Sequence, residues 1–149
     1  MRIAAPLDIV HRLGAEIEHW PELLPHYDAV EMRYRAGNYR VAHMRARRDR
    51  IPVGWTTVQL ADPVAAVIRF RHVRGATRGM YVEWQLHADE GATHVTIAHW
   101  FHPPWTPLGR LLARWIVGEF FVHDIASKTL ARIKQLAEAE ARGREQAAA

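Results

Sequence analysis

The sequence predicts an α+β fold: a curved antiparallel sheet of six to seven strands wrapped around a long C-terminal helix, with two short helices near the N-terminus. Three observations carry that expectation. Segments of alternating polarity, separated by turn residues, fill the chain from Tyr27 to Phe101. An apolar stripe of helical period follows them. The 149 residues, 49% hydrophobic and 24% charged, suffice for one domain with a real core and not for two.

Each element has a local cause. Ile3 to Ala5 reads as a strand stub. Pro6 opens a helix, because proline is tolerated in the first turn, and Asp8 there suits the macrodipole. Ile9, Val10, Leu13 and Ile17 form its apolar stripe. Trp20-Pro21-Glu22-Leu23-Leu24-Pro25 is a second short turn of helix bounded by prolines. Residues 27–35 and 39–47 flank Gly37-Asn38, a hairpin signal. Residues 52–60 lead to a turn at Asp62-Pro63, and residues 67–73 turn through Gly75 to Gly79 into residues 80–87. Asp89-Glu90-Gly91 leads into residues 94–101, completing a meander. Met80, Val82, Trp84 and Leu86 alternate with Tyr81, Glu83 and Gln85, so the first set faces inward. By the same test Ile68, Phe70 and His72 share a face, as do Val95, Ile97, His99 and Phe101.

Pro103 to Pro107 stop the last strand, since proline donates nothing to a ladder. A helix over 108–141 follows, with Gly118 a bend and Trp115, Val122, Ala126, Leu130, Ile133 and Ala137 on one stripe. Such a helix needs an apolar surface, and the meander offers one. Residues 1–142 thus form a single domain, and the tail 143–149 is expected to fray.

Composition excludes several chemistries. With no cysteine there is no disulfide, thiolate catalysis or cysteine-based metal site. The first residues, Met1 to Pro6, hold no apolar core of signal-peptide length, and the greasy stretch 115–122 is interrupted by Glu119, so a cytoplasmic protein is expected. The net charge of +4 favours acidic partners. Arg45, Arg47, Arg48 and Arg50 crowd one strand end, with Arg69, Arg71, Arg74 and Arg78 two strands along. They form a solvated rim or a dock for an anionic partner. No recognition motif accompanies them, so nucleic acid is not expected.

Ile3-Ala4-Ala5-Pro6 with Val10, Glu18-His19-Trp20-Pro21-Glu22-Leu23-Leu24-Pro25 and Gly91-Ala92-Thr93-His94-Val95-Thr96 together span most of the chain. In these segments and in element order it resembles the START-like (SRPBCC) superfamily, in the polyketide cyclase/dehydrase and lipid transport branch that includes the coenzyme Q-binding proteins. The resemblance implies a helix-grip fold with an apolar ligand cavity. None of these segments is catalytic, so they speak to fold more than to activity. Members usually have more residues before the Ala-Pro element, where this chain has Met1 to Ala5.

The expected cavity wall comprises Phe70 and His72 on one strand and Val82 and Trp84 on the next. Ile97, His99 and Phe101 continue it on the last strand. Trp55 faces in as well, with Thr57 and Gln59 as polar handles, and Phe120 and His123 reach in from the helix. Symmetric turns would pair His72 with Val82 and Val82 with His99, setting the two histidines on one row, two strands and about 9–10 Å apart at the backbone. They are ligand contacts or satisfied polar residues of the sheet margin. His19, His26, His87 and His94 lie near turns and are expected in solvent. His99 and His102 point to opposite faces, and no His-Glu-x-x-His occurs, so no metal is expected, nor a cofactor.

Catalytic residues stay unknown, with His72 and His99 the candidates. The expected function is binding of a hydrophobic small molecule (lipid, quinone or polyketide-like aromatic) for transfer or presentation. The alternative is a polyketide aromatase/cyclase or dehydratase using a cavity histidine as acid/base. An acidic acyl carrier protein or an anionic membrane surface is the partner such a rim suits.

Overall fold

The computed structural model describes residues 1–48, 50–75, 77–101 and 121–148. Seven strands form one antiparallel sheet in the order β1-β7-β6-β5-β4-β3-β2. β1 (Arg2–Ile3) is the two-residue stub at one edge, pairing Ile3 with Thr93 of β7 (Ala92–Phe101). β2 (Tyr27–Ala36) and β3 (Tyr39–Arg48) close through Gly37 and Asn38, with Ala36 opposite Tyr39. β4 (Ile51–Asp62), β5 (Val67–Gly75) and β6 (Met80–Asp89) complete the meander. The six expected strands of the meander are all present, each one or two residues longer at one end or both, and the stub expected at Ile3 to Ala5 lies at Arg2–Ile3.

The alternation along β6 holds: Met80, Val82, Trp84 and Leu86 are buried. Val82 lies opposite His99, as expected. The β5–β6 pairing differs. Phe70, and not His72, faces Val82 across the ladder. The last paired residues are Arg71 and Tyr81, so the connection is centred on residue 76 rather than 77. Moving a hairpin centre by one residue moves the pairing by two, which keeps every side chain on its face. His72 therefore remains inward but sits one rung further along. At the same end of β5, Gly75 pairs with Trp55 of β4. Its φ is +91°, and a Cβ built there would lie 2.4 Å from the Gly54 carbonyl oxygen. Only glycine lets the end of β5 press so closely on β4.

The helices cover the concave face. α1 (Leu7–Ala15) buries Ile9, Val10 and Leu13. Gly14 lets it settle on the sheet: a Cβ there would be 2.9 Å from Ile68 Cδ1 and 3.2 Å from the Trp84 ring. A 3-10 turn (Ile17–His19) and α2 (Trp20–Leu23) follow, and Trp20 Nε1 donates to the Leu13 carbonyl at 3.0 Å. Gln59 on β4, wholly buried, donates to the Ala15 carbonyl at the end of α1 and accepts from Arg40. Thr57 is likewise buried, with its hydroxyl turned to backbone carbonyls. Both expected polar handles are thus held by the scaffold.

The C-terminal helix, α3 (Phe121–Ala148), presents Ile125, Leu130, Ile133, Ala137 and Ala141 to the core. It continues past the expected end at 141, and Arg144 pairs with Asp8 of α1 and with Glu140. Arg12 pairs with Glu140, and Lys134 donates to the Arg2 carbonyl, tying the helix to the N-terminal segment. The expected proline stop, the first part of the predicted helix, Gly118 and Phe120 lie outside the described residues. No helix among the described residues is long and apolar enough to cross a membrane.

Candidate functional site

Near α1 the interior is filled by Ile9, Val10 and Leu13, and Gly14 lies close against Ile68 and Trp84. Toward the start of α3 it is not filled. Between β4, β5, β6 and the first turns of α3 lies a hollow with about 70 Å³ open to the centres of water-sized molecules. One water needs roughly 10–15 Å³ by that measure, so the space would hold several. Its walls are mostly rings: Trp20, Tyr27, Trp55, Phe70 and Trp84, with the imidazoles of His72 and His99.

These rings form a contiguous set. Trp20 touches Tyr27 edge-on at 5.0 Å and lies 6.3 Å from Trp84. Tyr27 in turn meets Trp55 at 6.2 Å, and Trp55 stacks on His72 at 5.5 Å with planes 19° apart. Stiff flat side chains braced on each other can line a space without collapsing into it.

His72 is anchored from behind. Its Nδ1 lies 2.6 Å from the hydroxyl of Thr77, a wholly buried residue of the β5–β6 connection. That connection is closed by Gly79 N–H donating to the His72 carbonyl and Met80 N–H donating to the Thr77 carbonyl. Burial, with the nearby His99 second, pushes the His72 imidazole down to about 3. His72 keeps some accessible surface and lines the hollow. Burial also holds His99 below the usual histidine range. Both rings are neutral at pH 7, each with one donor and one acceptor nitrogen.

The structure thus brings Trp55, Phe70, His72, Val82, Trp84 and His99 together around the hollow. Ile97 and Phe101 pack against the neighbouring core and are not in its wall. Phe120 and the side chain of His123 lie outside the described residues. Trp20, Tyr27, Met44, Met80, Ile125, Ala126 and Thr129 also line the hollow. The Trp-Pro-Glu-Leu segment drew attention to Trp20 as a family feature but not as a wall residue. Tyr27 was hidden because β2 has register shifts at Tyr27/Ala29 and Met32/Tyr34, which break the alternation from which facing is read.

His26 departs from expectation. It is half-buried, and its Nε2 lies 2.9 Å from Thr129 Oγ1 on α3. Burial, then Lys128, lowers its pKa. Thr129 also hydrogen-bonds the Tyr27 hydroxyl, whose pKa burial raises. His19, His87 and His94 are exposed as expected. Of the arginines, Arg47 pairs with Asp28 and Arg69 with Glu83, while Arg45, Arg50, Arg71, Arg74 and Arg78 are exposed.

Comparison with known proteins agrees with this architecture. The family model described as polyketide cyclase / dehydrase and lipid transport matches residues 1–138. A putative polyketide cyclase of Streptomyces cyaneus is 30% identical over 101 residues, covering 66% of this chain. The match spans 64% of that relative, just under two thirds of its length. A putative polyketide cyclase of Streptomyces halstedii is 29% identical over 86 residues, covering 55% of this chain and 78% of the relative. The crystal structure of the Zhui aromatase/cyclase from Streptomyces sp. R1128 superposes with a TM-score of 0.78. It covers 93% of this chain and 90% of that one at 20% identity, a likeness of fold. By its sequence match over nearly its whole length, the chain belongs to the polyketide cyclase/dehydrase and lipid transport family.

Proposed function

We propose that the chain binds a hydrophobic small molecule, a lipid, a quinone or a polyketide-like aromatic, in the hollow beneath α3, for transfer or presentation. The observation that carries this reading is the ring-lined space itself. Apolar rings favour a flat or chain-like hydrocarbon body, and two neutral imidazoles offer hydrogen bonds to a few oxygens on it. A formal charge placed there would meet no opposite charge on the imidazoles, which are neutral at pH 7. The exposed arginines suit an anionic docking partner, an acidic acyl carrier protein or a membrane surface.

The test is mass spectrometry of the natively purified protein and of its organic extract. An apolar molecule bound in equal proportion to protein supports the proposal. A protein that carries none, and that quenches no tryptophan fluorescence with flat aromatic probes, rejects it.

A second reading is favoured by the polyketide cyclase relatives and by the two imidazoles in the wall. In it the protein closes a ring in a carrier-bound poly-β-keto chain. A base removes a proton from a carbon between two carbonyls, and that carbon attacks a distant carbonyl. The protonated base returns the proton to the new alkoxide, and loss of water follows. His72, depressed to about 3, takes a proton reluctantly at neutral pH. His99 is the better acid/base of the two. His99→Ala should then cut product formation about a hundredfold or more while weakening ligand binding by no more than about tenfold, the worth of one hydrogen bond. Unchanged turnover in that variant rejects this second reading and leaves the first standing.

A further inference from the structure

The donor state of His72 follows from its partner. Nδ1 faces the Thr77 hydroxyl at 2.6 Å, and Thr77 is wholly buried. A buried hydroxyl has one proton to place, and leaving it without an acceptor is costly. Among the described residues, the acceptor within reach of that hydroxyl is His72 Nδ1. If Nδ1 carried the ring proton, two hydrogens would converge on one short contact or the hydroxyl proton would go unused. The arrangement that satisfies both groups has Thr77 donating and Nδ1 accepting. In a neutral imidazole the proton then resides on Nε2.

Nε2 has no hydrogen-bond partner among the described residues, and the ring forms part of the cavity wall. Stacking on Trp55 fixes the plane of the ring, and the Gly75 approach to β4 fixes the strand that carries it. We infer that Thr77 is a positioning residue that locks His72 as the Nε2–H tautomer, so that the cavity presents a fixed neutral donor and selects ligands bearing a ketone or quinone oxygen. This rests on the proposed ligand-binding reading and names the ligand class for it: a hydrogen-bond acceptor of carbonyl type, held by a donor that carries no charge. A hydroxyl group can accept the same hydrogen bond, but it must also place its own proton. A carbonyl has no such proton and matches the His72 ring, whose other nitrogen is already taken by Thr77.

The experiment has two readouts. The first is long-range nitrogen–proton NMR of histidine-labelled protein without ligand. A pyridine-like Nδ1 and a pyrrole-like Nε2 for His72 are expected, whereas a protonated Nδ1 overturns the inference. The second compares 1,4-naphthoquinone with naphthalene by tryptophan quenching. The wild-type protein should prefer the quinone by about five- to tenfold, the worth of one such hydrogen bond. Thr77→Val, close in shape but without the hydroxyl, should reduce that preference to about twofold or less while naphthalene still binds. Thr77→Ser should restore both the tautomer and the preference. Quinone preference that survives Thr77→Val unchanged overturns the inference, as does binding of both probes to the wild type without preference. Failure of the wild type to bind either probe is a different result. It sinks the ligand-binding reading itself, while the NMR signature still reports the tautomer on its own.

Discussion

Replacing His72 with asparagine should make the protein less sensitive to mild acid. The side chain of asparagine can still accept from Thr77, but it does not titrate. In the folded protein burial holds His72 at about 3, whereas in the unfolded chain an ordinary histidine titrates near 6.5. The sign follows directly. Between those values the unfolded chain binds a proton that the folded protein refuses, so stability rises with pH. The contribution is fully present above about pH 6.5 and is lost progressively as pH falls toward 3. At pH 5.0 the solution lies about 1.5 pH units below the unfolded value, a loss of about 2 kcal/mol relative to pH 7.5. His11, His26 and His99 are also depressed by burial, and their losses run in the same direction in both proteins. Comparing each protein with itself at two pH values removes the intrinsic cost of the substitution. Urea unfolding followed by the fluorescence of the six tryptophans at pH 7.5 and 5.0 measures the difference. The wild type should lose about 2 kcal/mol more than His72→Asn over that interval. Equal losses would show that His72 titrates normally in the folded state, and that its wall is wetter than the structure portrays.

Two substitutions test the scaffold that holds the wall. Gly75→Ala places a Cβ at φ +91° and 2.4 Å from the Gly54 carbonyl oxygen. It should cost about 3 kcal/mol in urea unfolding and loosen the Trp55–His72 stack, read as a change in near-ultraviolet dichroism. A cost below about 0.5 kcal/mol would mean that β5 does not press on β4 there. Gln59→Leu keeps the volume but removes the donor to the Ala15 carbonyl and the acceptor facing Arg40. It should cost about 2–3 kcal/mol, and a neutral result would mean that water serves both groups.

Much of the fold was legible because its signals are local. The Met80, Val82, Trp84, Leu86 alternation, the Gly37-Asn38 turn and the proline-bounded Trp20 segment each depend on a few adjacent residues, and each is found as expected. The inward facing of His72 and His99 survived a misplaced hairpin centre because the pairing moved by an even number. What stayed hidden is set by contacts distant in sequence. The Gly75–Gly54 approach, the bulge between Thr56 and Thr57, and the two register shifts in β2 belong to strand pairs, not to either strand alone. They decide that Tyr27 reaches the hollow and that Thr77 backs His72. Thr57 and Gln59 share the face of Trp55, yet alternation carries no information about whether a polar atom is already taken by backbone. On α3, Ala126 lay on the expected stripe, but Ile125 and Thr129 beside it also line the hollow. A straight helix against a curved sheet turns its contact face gradually, so a stripe drawn from spacing alone drifts off the true one.

The central claim is that a small molecule enters the space walled by Trp55, Phe70, Trp84 and His72. Crystals of the protein soaked with 1,4-naphthoquinone test it most directly. Density for the flat ring system between those side chains, with an oxygen near His72 Nε2, is the predicted result. An empty or water-filled interior at saturating quinone, or quinone held only on the convex face of the sheet, would contradict it.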